Sequence, residues 1–232
     1  MEEAPGVMQV VSRENWIAEL LPLVRDAVER RMTTSLVPAG AKIARAGEPC
    51  TRIFQIVQGY VRLNGLHEDG SETLITIYAP GNSYAETAMV ARRPYNHTSI
   101  AMVDTTIRTL AADDFWDVYR EHPAIADSLC RKFASAITRQ IASREARATL
   151  KLGERIALMF ENFAIYCAED EGSGRRIAFP ITQSDIATLF DVTRQSVYRE
   201  ISRLRTLGLV EKRAGVWIVR DVNRLRQLAL VR

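Results

Sequence analysis

Along the chain the spacing of apolar residues passes from helical to strand-like and back. Trp16, Leu20, Leu23, Val24 and Val28 recur at helical steps, which predicts a short helix over 14–30 whose regularity Pro22 limits. From about residue 35 to 110, short β-branched runs take over at 53–57, 60–63, 73–77, 98–103 and 106–110. Gly40, Gly47, Gly59, Gly70 and Gly81 punctuate them, and Glu68-Asp69-Gly70-Ser71 has the composition of a hairpin turn. Strands this short and regularly spaced predict an antiparallel sandwich or roll.

Residues 113–150 return to a helical period. Asp113 and Asp114 suit a helix N-terminus, and no glycine follows until Gly153. Leu129, Phe133, Ala136, Gln140, Ser143, Arg147 and Leu150 alternate steps of four and three, with Ile137 and Ile141 alongside. This is a heptad-like seam with polar interruptions. On a helix of roughly 50 Å it outruns a small β-domain, so it is expected to pair with a second copy of itself. Leu129, Phe133, Ala136 and Ile137 are the candidate dimer-interface residues. A further amphipathic pattern covers 153–166, and the acidic 169–174 reads as a loop.

The most specific pattern lies over 180–220. Thr182-Gln183-Ser184-Asp185 has capping-box composition and precedes the apolar run Ile186-Ala187-x-Leu189-Phe190. Asp191-Val192-Thr193 breaks that helix, and Thr193 is placed to cap a second one over 194–207, with Val197, Ile201 and Leu204 inward. Helix, short turn, helix is the helix-turn-helix unit. Its turn commonly needs a left-handed residue, a conformation aspartate tolerates, and Asp191 stands there. The second helix exposes Arg194, Gln195, Ser196, Arg199 and Arg203. Arginine reads guanine edges bidentately and glutamine reads adenine. Residues 209–213 and 216–219, joined at Ala214-Gly215, form a hairpin with Lys212 and Arg213 near its tip, placed as a wing against phosphates.

Charge follows the same division. Residues 175–232 carry 12 basic and 5 acidic side chains, net +7, whereas the first 174 residues are net −4. A basic end on a mildly acidic body suits contact with a polyanion. With 47% hydrophobic and 25% charged residues, the 232-residue chain has the balance of a two-domain globular protein. No apolar stretch reaches the ~18 residues of a membrane span. The N-terminus lacks a signal-peptide pattern, so the expectation is a cytoplasmic protein. Cys50, Cys130 and Cys167, like His67, His97 and His122, are scattered without metal-ligand spacing, so no metal site is expected. No nucleophile elbow, P-loop or dinucleotide fingerprint is present, and an enzyme is not expected.

Three segments together resemble the Crp/Fnr transcription regulators over about residues 35–220. Gly47-Glu48-Pro49 with Ile53-Phe54-Gln55-Ile56-Val57-Gln58-Gly59-Tyr60-Val61 is similar to the family's first roll hairpin. Pro80-Gly81-Asn82-Ser83-Tyr84-Ala85-Glu86 is similar to the start of its phosphate cassette. Ile181-Thr182-Gln183-Ser184-Asp185-Ile186-Ala187 and Val192-Thr193-Arg194-Gln195-Ser196-Val197-Tyr198-Arg199 are similar to its DNA-reading motif. The resemblance implies an α+β protein: an N-terminal helix and antiparallel β-roll of the double-stranded jelly-roll type (1–112), a dimerisation helix (113–150) and a winged helix-turn-helix (151–232).

It also implies a homodimeric regulator binding double-stranded DNA at a pseudo-palindrome, with RNA polymerase as partner if it activates. Arg194, Gln195 and Arg199 would read bases, while Thr182, Gln183, Ser196 and the wing's Lys212 lie nearer to phosphate. A small effector would sit in the roll near Tyr84, Glu86, Arg93, Tyr95, Asn96, His97, Gln140 and Ile141. Gln195 stands where many members carry glutamate, and Ala85 where cyclic-AMP-binding members carry glycine. Where those members have an arginine–serine pair, this chain reads Asn96-His97, so cyclic AMP is not the expected effector. Arg92 and Arg93, a few residues upstream, are the arginines that could instead reach inward. The cofactor is undetermined: no iron–sulfur cluster is expected without an N-terminal cysteine group, and a haem on His97 or Cys130 stays open. Two other readings also stay open, an effector-independent DNA-binding regulator and a metal-dependent cupin-like enzyme.

Overall fold

The computed structural model describes residues 10–12, 14–66, 70 and 72–230. The chain divides into two compact units, one spanning Ser12–Ile137 and the other joining Val10 and Val11 to the residues from Thr138 onward. Glu68, Asp69 and Ser71 of the expected hairpin turn lie outside the described residues.

The first unit is a two-sheet antiparallel roll. One sheet contains β3 (Lys42–Ala44), β5 (Val61–Leu66), β6 (Glu72–Tyr78) and β8 (Thr98–Ala101) in the order β6-β5-β8-β3. At its β6 edge the short β1 (Val11–Ser12) contributes Ser12, whose carbonyl accepts from the Ala79 N–H at 3.1 Å. The other sheet runs β2-β9-β4-β7, from β2 (Thr33–Val37), β9 (Thr105–Ala111), β4 (Arg52–Gln58) and β7 (Ser83–Tyr84). Phe54, Ile56, Val61, Tyr84, Tyr95 and Ile107 fill the roll. A second cluster joins Trp16, Ile17 and Leu20 to Ile53, Leu110, Phe115, Val118, Ile125 and Leu129, beside α1 (Pro22–Glu29) and α2 (Glu86–Val90). Gly59 turns the β4–β5 connection at φ +88°; a Cβ there would stand 2.8 Å from the Asp104 carbonyl, so only glycine fits.

Prolines set two boundaries differently from the sequence reading. Pro22 opens α1 at its first position instead of interrupting a longer helix, and residues before it form a turn. Pro123 divides the expected 113–150 helix into α3 (Ala112–Glu121) and α4 (Ala124–Thr149). The long helix therefore has 26 residues, about 39 Å, not ~50 Å. The division between the units also falls inside it, rather than at residue 150.

Part of the face expected to form the dimer seam is covered within the chain. Leu129 is buried in the roll's own core and Phe133 packs partly against it, because α4 spends that face on its own unit. Ala136 is half-buried. The exposed stripe runs one residue on, through Cys130, Ala134, Ile137 and Ile141, with the two isoleucines 61% and 55% exposed. Its steps of four, three and four keep a heptad-like spacing.

The second unit holds α5 (Leu152–Tyr166), α6 (Gln183–Phe190), α7 (Arg194–Thr206) and α8 (Val222–Leu230). Its antiparallel sheet is ordered β10-β11-β13-β12, from β10 (Ala168–Asp170), β11 (Arg175–Ile177), β12 (Val210–Arg213) and β13 (Val216–Val219). Residues 169–174, expected as a loop, supply most of β10 and the tip of its hairpin. Phe160 meets Phe163 and Trp217 edge-on, and Phe163 meets Phe179 likewise, forming an aromatic core. Trp217 Nε1 donates to the Ile181 carbonyl at 3.1 Å, which anchors the wing beside the start of α6.

Candidate nucleic-acid interface and roll interior

The helix-turn-helix forms as its sequence dictates. Thr182 Oγ1 accepts from the Asp185 N–H at 3.1 Å, and Asp185 Oδ2 accepts from the Thr182 N–H at 2.9 Å, a reciprocal capping box. Asp191 closes α6 in the left-handed region (φ 54°, ψ 54°), while the Asp191 and Val192 N–H groups donate to the carbonyls of Thr188 and Ala187. Thr193 caps α7 by accepting from the Ser196 N–H at 3.2 Å. Val197, Ile201 and Leu204 are buried, which fixes the face that α7 turns outward.

On that face Arg194, Gln195 and Arg199 are exposed and near one another by helical spacing. Ser196 is half-buried and tied locally: its hydroxyl lies 2.9 Å from Thr193 Oγ1 and accepts from Arg199 Nη2 at 3.4 Å. Thr182 is exposed and Gln183 half-buried at the start of α6. Ala214 and Gly215 both take positive φ, the two-residue turn that matches strand twist. Lys212 is exposed with its ammonium 5.3 Å from the Trp217 ring centroid, and Arg213 pairs with Glu211 at 2.6 Å. Lys212 is thus the tip's cation without a carboxylate partner among the described residues.

The expected effector residues divide into several environments. Tyr84 stacks between Phe54 and Tyr78, each centroid 5.1 Å away. Its hydroxyl and that of Ser99 are buried near each other without a well-formed hydrogen bond. Burial pushes the Tyr84 and Tyr78 phenols far up, so both are neutral. The Tyr95 hydroxyl is consumed by the backbone of Arg52, donating to its carbonyl at 3.0 Å and accepting from its N–H at 3.1 Å. Asn96 and Arg93 are exposed. His97 is half-buried, and desolvation lowers its pKa. Arg92 lays its guanidinium 4.8 Å from the Trp116 centroid, engaged on that ring instead of reaching into the roll. Gln140 and Ile141 lie on α4 past the unit division, both exposed.

Glu86 is the largest departure from expectation. It is 2% exposed, and its Oε1 accepts from Trp16 Nε1 at 3.0 Å and stands 2.9 Å from Lys132 Nζ. Lys132 also donates to the Ser83 carbonyl and, at 3.0 Å, to Ser83 Oγ. Burial pulls the Lys132 pKa down while the Glu86 carboxylate opposes it. The carboxylate assigned to an effector thus carries an internal cation. The sequence held a clue: Ile125, Leu129 and Lys132 follow four–three spacing, so a lysine stands on the helix's apolar stripe. Ala85, just before it, keeps φ +77° although it is not glycine, so the tight turn survives at the cost of strain. Among the described residues, no group of three or more His, Cys, Asp or Glu side chains is placed to hold a metal ion. No helix among them is long and apolar enough to cross a membrane.

Comparisons with known proteins agree with this architecture. Residues 35–122 match the cyclic nucleotide-binding domain model, and residues 151–228 match the Crp-like helix-turn-helix domain model. The chain is 24% identical over 225 residues to the CRP-like cAMP-activated global transcriptional regulator of Mycobacterium tuberculosis, covering 95% of this chain and 99% of that one. It is 26% identical to the cyclic AMP receptor protein of Thermus thermophilus, covering 84% and 87%. The solved structure of FixK2 from Bradyrhizobium japonicum superposes with a TM-score of 0.71 at 20% identity, over 87% of this chain and 98% of that one. The protein belongs to the Crp/Fnr family of transcription regulators, an α+β family of regulators and not of enzymes. Within it, this chain is a Crp/Fnr-type regulator with a cyclic-nucleotide-binding-like sensor domain and a helix-turn-helix DNA-binding domain.

Removing one half of the buried pair tests its role. Lys132→Ala strands the Glu86 carboxylate and should destabilise the protein by about 3–5 kcal/mol, read as the urea unfolding midpoint. Lys132→Met combined with Glu86→Gln should recover most of that loss. Equal losses in the two variants would show that lost packing, not a stranded charge, sets the cost.

Proposed function

We propose that the protein is a homodimeric regulator that reads a pseudo-palindromic DNA site with α7 while the roll senses a small effector. The observation that carries this reading is the capped helix-turn-helix displaying Arg194, Gln195 and Arg199 beside a wing that carries Lys212. The three α7 side chains read base edges. Thr182, Gln183, Ser196 and Lys212 meet phosphate. Sensing falls to the roll, pairing to α4, and DNA reading to the residues from 151 onward. A dimer reading successive major grooves presents two recognition helices about 34 Å apart, one helical turn of DNA. The protein works in the cytoplasm, where its DNA is. If it activates, RNA polymerase is a further partner.

The relatives' names point to cyclic AMP, but the roll of this chain does not offer the usual grip on a cyclic nucleotide. A buried phosphodiester calls for a paired cation, preferably an arginine fork. Asn96 and His97 stand in its place, Arg92 is held on Trp116, and Glu86 is held by Lys132. An uncharged or aromatic effector suits the stack of Phe54, Tyr84 and Tyr78 better. The internally satisfied Glu86 also favours a second reading, in which the roll stays closed and DNA binding needs no effector. Full site affinity from protein dialysed free of small molecules would select that reading.

On the protein's selected DNA site, Arg194→Ala and Arg199→Ala should each cost about 1–3 kcal/mol, with little change on random DNA. Lys212→Ala should weaken both alike and lower the salt slope by about one. These are measured by fluorescence anisotropy over a salt series. Equal losses on selected and random DNA for the arginine variants would remove them as base readers.

Dimerisation is tested on the exposed stripe and not on the buried Leu129. Ile137→Glu with Ile141→Glu should give monomers by sedimentation while leaving the circular dichroism spectrum intact, since both side chains are exposed. A stable dimer in that double variant would place the interface elsewhere.

A further inference from the structure

Tyr198 is the exposed aromatic of α7, 57% accessible, and its hydroxyl has no partner among the described residues. At about 100° of rotation per residue, Arg194, Tyr198, Gln195 and Arg199 project at roughly 0°, 40°, 100° and 140° around the helix axis. Buried Val197, Ile201 and Leu204 take roughly 280–340° on the other side. Ser196, near 200°, is outside the arc, consistent with its local bonds to Thr193 and Arg199. Tyr198 therefore stands inside the arc of side chains assigned to bases.

We propose that the Tyr198 ring reads a thymine C5-methyl group in each half-site. This rests on the reading of α7 as the base-reading helix and adds the residue that sets one position of its sequence preference.

The chemistry of the arc supports it. Arg194 and Arg199 are donors and Gln195 is an amide, so these three recognise hydrogen-bonding edges. Tyr198 supplies the arc's apolar face. In the major groove the apolar mark on a base edge is the thymine methyl, which packs against alkyl and aromatic side chains. Burying that methyl against the ring removes apolar surface of both partners from water. Around the axis Tyr198 points between Arg194 and Gln195, and along it Tyr198 stands about one turn beyond them, beside Arg199.

The test uses the full-length protein and its own selected site. Each thymine is replaced in turn by deoxyuridine, which removes only the methyl group, and affinity is measured for the parent, Tyr198→Ala and Tyr198→Phe. At one thymine per half-site the parent and Tyr198→Phe should lose about fourfold on replacement. Tyr198→Ala should bind the unmodified site more weakly by a similar factor and be indifferent to deoxyuridine at that position alone. Identical deoxyuridine profiles for the parent and Tyr198→Ala would overturn the assignment, as would loss of the effect in Tyr198→Phe. Both outcomes leave the helix-turn-helix reading intact. Failure of the parent protein to enrich any site would instead overturn that reading and this one with it.

Discussion

A buried ion pair holds the long helix to the sheet domain. Withdrawing an ammonium and a carboxylate from water costs more than their attraction returns unless the remaining valences are filled. Trp16, Ser83, Glu86 and Lys132 fill them together, drawing the N-terminal segment, β7, α2 and α4 to one point. Ser128 adds a hydrogen bond to the Trp16 carbonyl at 2.8 Å, one turn before Lys132. With this face of α4 committed, Leu129 and Phe133 belong to the roll, and the stripe left outward is Cys130, Ala134, Ile137 and Ile141. The pair therefore fixes which face of this part of α4 is left outward. It also takes up the carboxylate that the family resemblance assigned to an effector.

Local chemistry was readable wherever one residue type had one available role. Thr182, Asp185, Asp191 and Thr193 could each be placed on the helix-turn-helix from capping and left-handed preferences alone, and each sits there. The β-roll was readable from glycine spacing and β-branched runs, although β3 and β7 carried too few residues to show a period and β2 has no buried face to alternate. Pro22 and Pro123 were in view, but proline fits a first helical turn as well as it breaks an interior, and the sequence alone did not choose. The heptad-like pattern did not separate the buried face of α4 from the exposed one, because Leu129 and Ile137 are equally apolar. The packing of Trp16, Phe115 and Val118 in one cluster with Leu129, together with the Glu86–Lys132 pair, separates its inner face from its outer one. The effector residues were least readable, since Glu86 is taken by a lysine 46 positions later in the chain and Arg92 by Trp116.

The two ends of the molecule differ in how their polar groups are disposed. Within the roll, Glu86, Lys132, Tyr95 and Arg92 are occupied by the protein itself, while the buried Gln55 Oε1 and the hydroxyls of Tyr84 and Ser99 lack a well-formed bond among the described residues. On α7 Arg194, Gln195, Tyr198 and Arg199 are exposed, and of these Arg199 makes one long bond, at 3.4 Å to Ser196 Oγ. Side chains that satisfy one another stabilise a fold, and side chains kept apart from partners are available to a ligand. For α7 the ligand we propose is DNA. For the roll, the same reasoning favours a small, uncharged molecule over a phosphodiester.

Selection from a random-sequence library by the purified full-length protein asks whether two copies of this chain read DNA as a symmetric pair. A symmetric pair enriches a motif of two inverted half-sites whose centres lie about one helical turn, ~10–10.5 base pairs, apart or a multiple of it. A single unrepeated motif, or no enrichment above non-specific binding, would contradict it.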